Sequence, residues 1–449
     1  MARWWSTTAA AASLATHGVT LRPYPGVVPR PTDPAAASDP AEARGTAADA
    51  SAAAESTPTV RPRLGRDVVV LGVIAFFVMV GFGVVVPVLP VYAQSFGVDH
   101  VLVGAVLSAF ALMRLVASPF VGRLLDLAGE RVVLSVGIGI VALSSALAGL
   151  ATDYPQLLLM RGLGGIGSAM FTISAMTLLL ASTPPTRRAR AVGFYQGGFL
   201  VGGMAGPAIG GVLSTISLTA PFFFYAATLA VAGLIGVVLL KPVPRGGAAE
   251  KAEPPTPLRD VLADVRFRAA CVANFAQGWS SLGVRSALVP VLVVEVLRGP
   301  TAWTGVLFAV AAVAQTVALA PASRFVDTVG RRPAVIGSFA VAAVSLAAVP
   351  FASHVVVLGA LLAVYGVATA FMGTAPAALV GDAAGARGGR PVAIFSMCSD
   401  VGAIAGPLVA GLLVDVASFP VAFGVAALLL AAASLAAVRI PREPRPALA

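Results

Sequence analysis

Charge is what this chain has least of. Lys, Arg, Asp and Glu make up 11% of its 449 residues, where a soluble domain carries about a quarter. Hydrophobic residues make up 58% and the mean hydropathy is +0.91, so there is too little polar surface to face water. Cysteine is nearly absent. Cys271 and Cys398 both fall inside apolar stretches, which argues against a disulfide framework or a cysteine metal site. The three histidines, His17, His100 and His354, lie in the leading segment or in short connections. They form no spaced cluster and read as ordinary solvated side chains. No nucleophile–base pair and no set of metal ligands falls at helix depth, so neither an intramembrane enzyme nor a metal or other cofactor is expected.

What is present is a series of apolar blocks, each long enough to cross roughly 30 Å of hydrocarbon as a helix. Twelve are predicted, at about 68–93, 101–121, 132–151, 156–180, 191–213, 221–240, 269–294, 303–322, 333–352, 354–380, 391–414 and 420–438. The fold class is therefore an all-α, multi-pass membrane protein. Residues 1–66, rich in Ala, Pro, Ser and Thr, read as a disordered tail. The apolar run in "MARWWSTTAAAASLA" is too diluted by Ser and Thr for a signal peptide. Residues 241–268 read as a linker between two halves, 67–240 and 269–440, with 441–449 as a second tail.

The formal charge of +10 reports topology, not nucleic acid. With the N-terminus in the cytoplasm, the even-numbered connections hold nearly all the cations, among them Arg123, Arg131, Arg187, Arg188, Arg190, Arg324, Arg331, Arg332, Arg387 and Arg390. The odd-numbered connections hold Arg298 beside Asp99, Asp153 and Glu295. By the positive-inside rule both termini are cytoplasmic, and the expected location is the cell membrane.

The halves repeat at an offset of 200–201. "GFGVVVPVLPV" (81–91) aligns with "SLGVRSALVPV" (281–291), "GRLLDLAGER" (122–131) with "SRFVDTVGRR" (323–332), and "GGMAGPAIGG" (202–211) with "GAIAGPLVAG" (402–411). Register held across charged connections indicates duplication, a habit of secondary transporters.

These motifs resemble those of the major facilitator superfamily, and within it the twelve-helix drug:proton antiporters. Gly122, Asp126, Gly129 and Arg131 fit the family's motif between helices two and three, although Leu127 and Glu130 stand where it usually has arginine. The second copy keeps Asp327, Gly330, Arg331 and Arg332. "RGLGGIGSA" (161–169) is similar to the fourth-helix motif through Arg161, Gly165 and Gly167. Gly193, Gly202, Gly206, Pro207, Gly210 and Gly211 match the fifth-helix antiporter motif. The resemblance implies twelve helices in two pseudo-symmetric halves of six and a cavity open to one side at a time. It also implies efflux of a small molecule against protons, with no partner beyond substrate, protons and lipid, and a monomer is expected.

Physically, glycines at i, i+4 and i+8 make a flat helix face for close approach, and Pro207 bends the helix. Plain packing is the bland alternative to sealing a cavity. Asp126 is expected in a short cytoplasmic turn, latching that side shut; charge that only sets topology is the alternative. Within the bilayer a charge must be paired or face water. Arg114 lies about 20 Å into helix two, with Gln315 as its repeat partner. Asp400 lies two to three turns into helix eleven. Asn274, Gln277, Ser281 and Arg285 recur at i, i+3, i+7 and i+11 and should make one polar stripe facing the cavity. Arg285 could instead snorkel to the outer interface, and Arg161 could serve backbone carbonyls. Three deep arginines against one aspartate bias the cavity towards neutral or anionic solutes. A metabolite importer or uniporter of the same fold is the competing reading, and a receptor or scaffold would not need matched gating motifs in both halves.

Overall fold

The computed structural model describes residues 65–184, 187–240, 258–384 and 389–441. Most of the expected leading tail, the 241–257 part of the linker, Arg387 and residues 442–449 lie outside the described residues. The chain crosses back and forth as α1 (Arg66–Val85, continued after a turn by Leu89–Gln94), α2 (His100–Ala128), α3 (Glu130–Gly149), α4 (Tyr154–Ala181), α5 (Arg188–Ser214) and α6 (Ala220–Leu239). A short helix, Leu258–Ala263, precedes the second half: α7 (Val265–Glu295), α8 (Thr301–Thr328), α9 (Arg331–Ala348), α10 (Val355–Ala384), α11 (Gly389–Val416) and α12 (Phe419–Ala437). Among the described residues, eleven helices are long and apolar enough to cross a membrane. The twelfth, α7, is assembled from Val265–Gln277, a π-helical stretch Gly278–Arg285, and Ser286–Glu295. Two glycines lie in that stretch, and the Ser280 and Ser286 hydroxyls donate to the carbonyls of Ala276 and Ser281. Such local competition loosens the α-helical ladder.

Each half builds its own core. Leu71, Leu134, Leu178 and Phe222 are fully buried in the first, and Phe267, Phe339, Tyr365 and Phe423 in the second. Connections after even-numbered helices lie on one face, here the basic face, and those after odd-numbered helices on the far face.

Two expectations need correction. The motif around Asp126 is not a loop. At 29 residues, α2 runs about 44 Å, past the hydrocarbon, so Gly122 and Asp126 sit in its final turns. The break is one residue, Gly129, whose φ of 80° is a left-handed conformation natural to glycine. The second copy is similar, with a two-residue break: Asp327 lies in the last turn of α8, which ends at Thr328, Gly330 has φ 112°, and Arg331 and Arg332 open α9. The linker also ends earlier than expected, since α7 begins at Val265, capped by the Asp264 carboxylate accepting from the Arg266 amide at 2.7 Å.

Candidate functional site

The glycine motif of α5 divides its work between two neighbours. Gly202, Gly206 and Gly210 face α1 so closely that a Cβ at 202 would lie 2.6 Å from the Phe76 carbonyl, and one at 206 would lie 2.6 Å from that of Val80. Gly211 instead faces the other half: its Cβ would lie 2.8 Å from the Ala302 carbonyl and 3.0 Å from Gly305 Cα, both on α8. The Pro207 carbonyl abuts Gly305. Gly193 has open space around it. On α11, Gly402 and Gly406 face α7, Gly411 faces the His100 carbonyl on α2, and the Pro407 carbonyl abuts Gly104. Gly104 and Gly305 are themselves 201 residues apart. The halves therefore meet along two equivalent seams, α5 on α8 and α11 on α2, each a proline carbonyl set into a glycine.

Charged residues continue the α2–α11 seam into the membrane. The Ser108 hydroxyl donates to the Ile404 carbonyl at 2.7 Å. One level deeper the Arg114 guanidinium pairs with the Asp400 carboxylate. All the cross-half hydrogen bonds and glycine contacts found among the described residues lie at this level or nearer the far face. The far face is closed.

Arg161 and Arg285 lie in the far-face half of α4 and α7, one in each lobe. Arg161 is 5% exposed and its guanidinium carbon stands 4.8 Å from the centre of the Phe110 ring. Arg285 stands 5.0 Å from Phe308 and 5.8 Å from Tyr365. It packs inward on aromatic faces rather than snorkelling, as a cation is drawn to a ring's negative face. Neither arginine has a carboxylate within ion-pair distance among the described residues.

The expected stripe on α7 fans out. Ser281 shares a 2.8 Å hydrogen bond with the Tyr365 hydroxyl on α10, beside Arg285. Asn274, below the π-helical stretch, donates to the Phe395 carbonyl on α11 at 2.6 Å. The wider π turn shifts the helical phase between them. Gln277 and Gln315 are half-buried. Near the Arg114 and Gln315 levels lie two apolar grooves. One is 240 Å³, lined by Met113, Val116, Ala117 and Ile166; the other is 790 Å³, lined by Ala314, Val317, Ala318 and Val367. These linings correspond position by position at the repeat offset.

On the basic face the duplicated motif shows a paired role. Arg131 donates to the Val237 carbonyl at the end of α6, and Arg332 to the Val438 carbonyl at the end of α12, at 2.9 Å. Each cation thus satisfies C-terminal carbonyls of the last helix in its own half, where the helix dipole is negative. Arg331 pairs with Asp382 at 2.8 Å. Asp126 and Asp327 are exposed.

His100 is the residue that sequence reasoning passed over. Its ring stands between two carboxylates of the other half: Nδ1 is 2.6 Å from Asp415 Oδ1 and Nε2 is 3.2 Å from Glu295 Oε2. Gln94 Nε2 donates to Glu295 Oε1 at 2.6 Å. Nothing in the local sequence marks this cluster, whose members lie 195 and 315 residues apart. Gly104 and Gly305 did carry a signal, the repeat offset itself.

Two duplicated lobes meeting at glycine seams, with buried charges beneath a closed face, make the architecture of a membrane transporter. A family model described as Major Facilitator Superfamily matches residues 71–317 and 270–449, and the chain belongs to that superfamily. The chain is 29% identical over 177 residues to quinolone resistance protein NorA of Staphylococcus aureus (strain MRSA252), covering 39% of this chain and 46% of that protein. It is 32% identical over 167 residues to multidrug resistance protein 2 of Bacillus subtilis (strain 168), covering 37% and 42%. The match thus spans less than half the length of either relative. Among solved structures, the nucleoside transporter NupG superposes with a TM-score of 0.68 at 16% identity, covering 84% of this chain and 100% of that one. The occupied, inward-facing bacterial homologue of the lysosomal transporter Spinster gives 0.67 at 17%, covering 83% and 95%.

Proposed function

We propose that this protein exports small amphipathic molecules, neutral or anionic, in exchange for protons, by alternating access in the cell membrane. The basic face is the cytoplasmic one by the positive-inside rule, which puts the closed face outside. The observation that carries the reading is the Arg114–Asp400 pair, the deepest polar link between the lobes and one that holds a titratable group. When the far face opens, α2 and α11 part and the Asp400 carboxylate loses its cation. An unpaired carboxylate at that depth takes up a proton from outside. When the lobes close again the guanidinium returns, and the proton leaves towards the cytoplasm. One charge crossing 100 mV supplies roughly 2.3 kcal/mol, enough for a solute gradient of several tens-fold. Arg161 and Arg285 orient the anionic or polar end of the solute, and Phe110, Phe308 and Tyr365 receive its apolar body. The drug-resistance names of the two relatives support export of such compounds.

Inverted membrane vesicles offered a panel of labelled neutral, anionic and cationic amphipaths in the medium test the reading, with and without an imposed pH gradient. Accumulation of neutral or anionic members that collapses with the gradient is expected. Movement indifferent to the gradient sinks the antiporter reading and leaves a uniporter or importer. In the outward-open state the exposed Asp126 would latch the cytoplasmic side, a bias of one or two kcal/mol being enough. Asp126→Asn is therefore expected to slow efflux several-fold at normal insertion, measured as initial rate per inserted protein. An unchanged rate would mean that the motif serves topology alone.

A further inference from the structure

The His100 cluster lies apart from the Arg114–Asp400 pair, at the mouth of the far face. Asp99, the N-cap residue of α2, makes no capping bond with its side chain. The Asp415 carboxylate of α11 caps that helix from the other lobe, accepting from the His100 amide at 3.1 Å and the Val101 amide at 2.9 Å. A carboxylate at a helix N-terminus is favoured by the dipole, and those amides keep Asp415 an acceptor. Asp415 Oδ1 also meets His100 Nδ1, while Glu295 meets Nε2. A neutral imidazole offers one donor and one acceptor, so only the doubly protonated ring satisfies two carboxylates at once. The remaining neighbours bring no competing charge into contact. Gln94 from the end of α1 is neutral and bonds Glu295, and Phe419 of α12 packs edge-on against the ring at 5.8 Å. Asp99 and Arg298 are exposed, and Asp153 is engaged with the Gln156 amide.

We propose that His100, Asp415 and Glu295 form an external proton-binding site that holds the far face closed when the ring is charged. The ring and the two carboxylates belong to opposite lobes, so opening the far face separates them and removes the reason to hold the proton. Closure takes up a proton, and by linkage acid outside favours the inward-open form while alkali favours the outward-open one. Placing this mouth outside the cell rests on the orientation adopted above. The proton bound here returns to the side it came from, so the site sets the resting orientation and is separate from the transported proton of Asp400.

Spin labels at Thr152 and Ser353 report the opening, in the full chain carrying Cys271→Ser and Cys398→Ser, together with Asp400→Asn to remove the proton that Asp400 would take up on opening, and reconstituted in lipid nanodiscs. Both label sites are exposed on the far face, one in each lobe at the repeat offset. With no substrate and no gradient present, pulsed electron resonance distances between pH 5.5 and 8.5 should lengthen as pH rises. The closed-to-open ratio should fall by up to about tenfold per pH unit over the titration. His100→Gln should flatten this dependence, and His100→Lys should stay closed throughout. Glu295→Gln should weaken it. A parent protein that ignores pH, opens on acidification, or keeps its pH response with Gln or Lys at position 100 overturns the proposal. Because nothing is transported, failure of proton-driven export would sink the antiporter reading and leave this result untouched, and the reverse also holds.

Discussion

Asp400→Asn is expected to abolish accumulation driven by a pH gradient while leaving exchange of substrate for substrate intact. The Asp400 carboxylate stands near mid-membrane against Arg114, and its side chain is 22% exposed. Asparagine keeps the shape and a hydrogen-bonding group but cannot cycle a proton. Removing one member of a fully buried pair costs about 3–5 kcal/mol. Partial exposure reduces this to about 1–3 kcal/mol, because water screens what it reaches. That loss falls on the inward-open form, where the pair exists, and shifts the balance towards outward-open by about 5- to 150-fold. Efflux into inverted vesicles under an imposed gradient should fall at least tenfold, while counterflow at equal pH on both sides persists. Full gradient-driven accumulation by the asparagine variant would place the transported proton elsewhere.

Gly206→Leu is expected to destroy transport and much of the thermal stability. A Cβ at position 206 would lie 2.6 Å from the Val80 carbonyl oxygen and 2.7 Å from Gly83 Cα. Both are backbone atoms of α1, so no side chain can yield, and the two helices must separate along their whole contact. Overpacking commonly costs about 1–3 kcal/mol, and to it is added the close packing lost at Gly202 and Gly210 as the helices part. Gly203→Ala is the control: its Cβ would meet only the flexible end of Met79 at 3.5 Å. The alanine variant should keep near-parental efflux and melting temperature, and the leucine variant should lose both. A leucine variant with full activity would end the account of α5 as a backbone-to-backbone contact.

Twelve crossings and two lobes were legible because hydropathy and duplication are properties of the sequence alone. Depth was legible too, since counting residues along a helix places Arg114 and Asp400 near the same level. Their pairing was not, because the residues are 286 apart and nothing local says which helices of opposite lobes touch. The stripe on α7 was misjudged in direction because a 3.6-residue period was assumed through a segment that is π-helical. Motif charges near Gly122 and Gly330 suggested loops, but charged residues do not end a helix; the left-handed glycines do. His100 was dismissed because solitary histidines in connections are usually solvated, whereas its partners arrive from two distant helix ends.

Backbone meeting backbone at Gly104, Gly305 and Gly411 has a dynamic corollary. Parting these contacts frees few rotamers and wets little hydrocarbon, so the glycine seams themselves add little entropy or hydration change as the mouth opens. The intrinsic preference between the two orientations is then shallow. A handful of ionic clasps decides where the molecule rests, and its switching rate should respond far more to salt and acidity than to the bulk of the apolar lining.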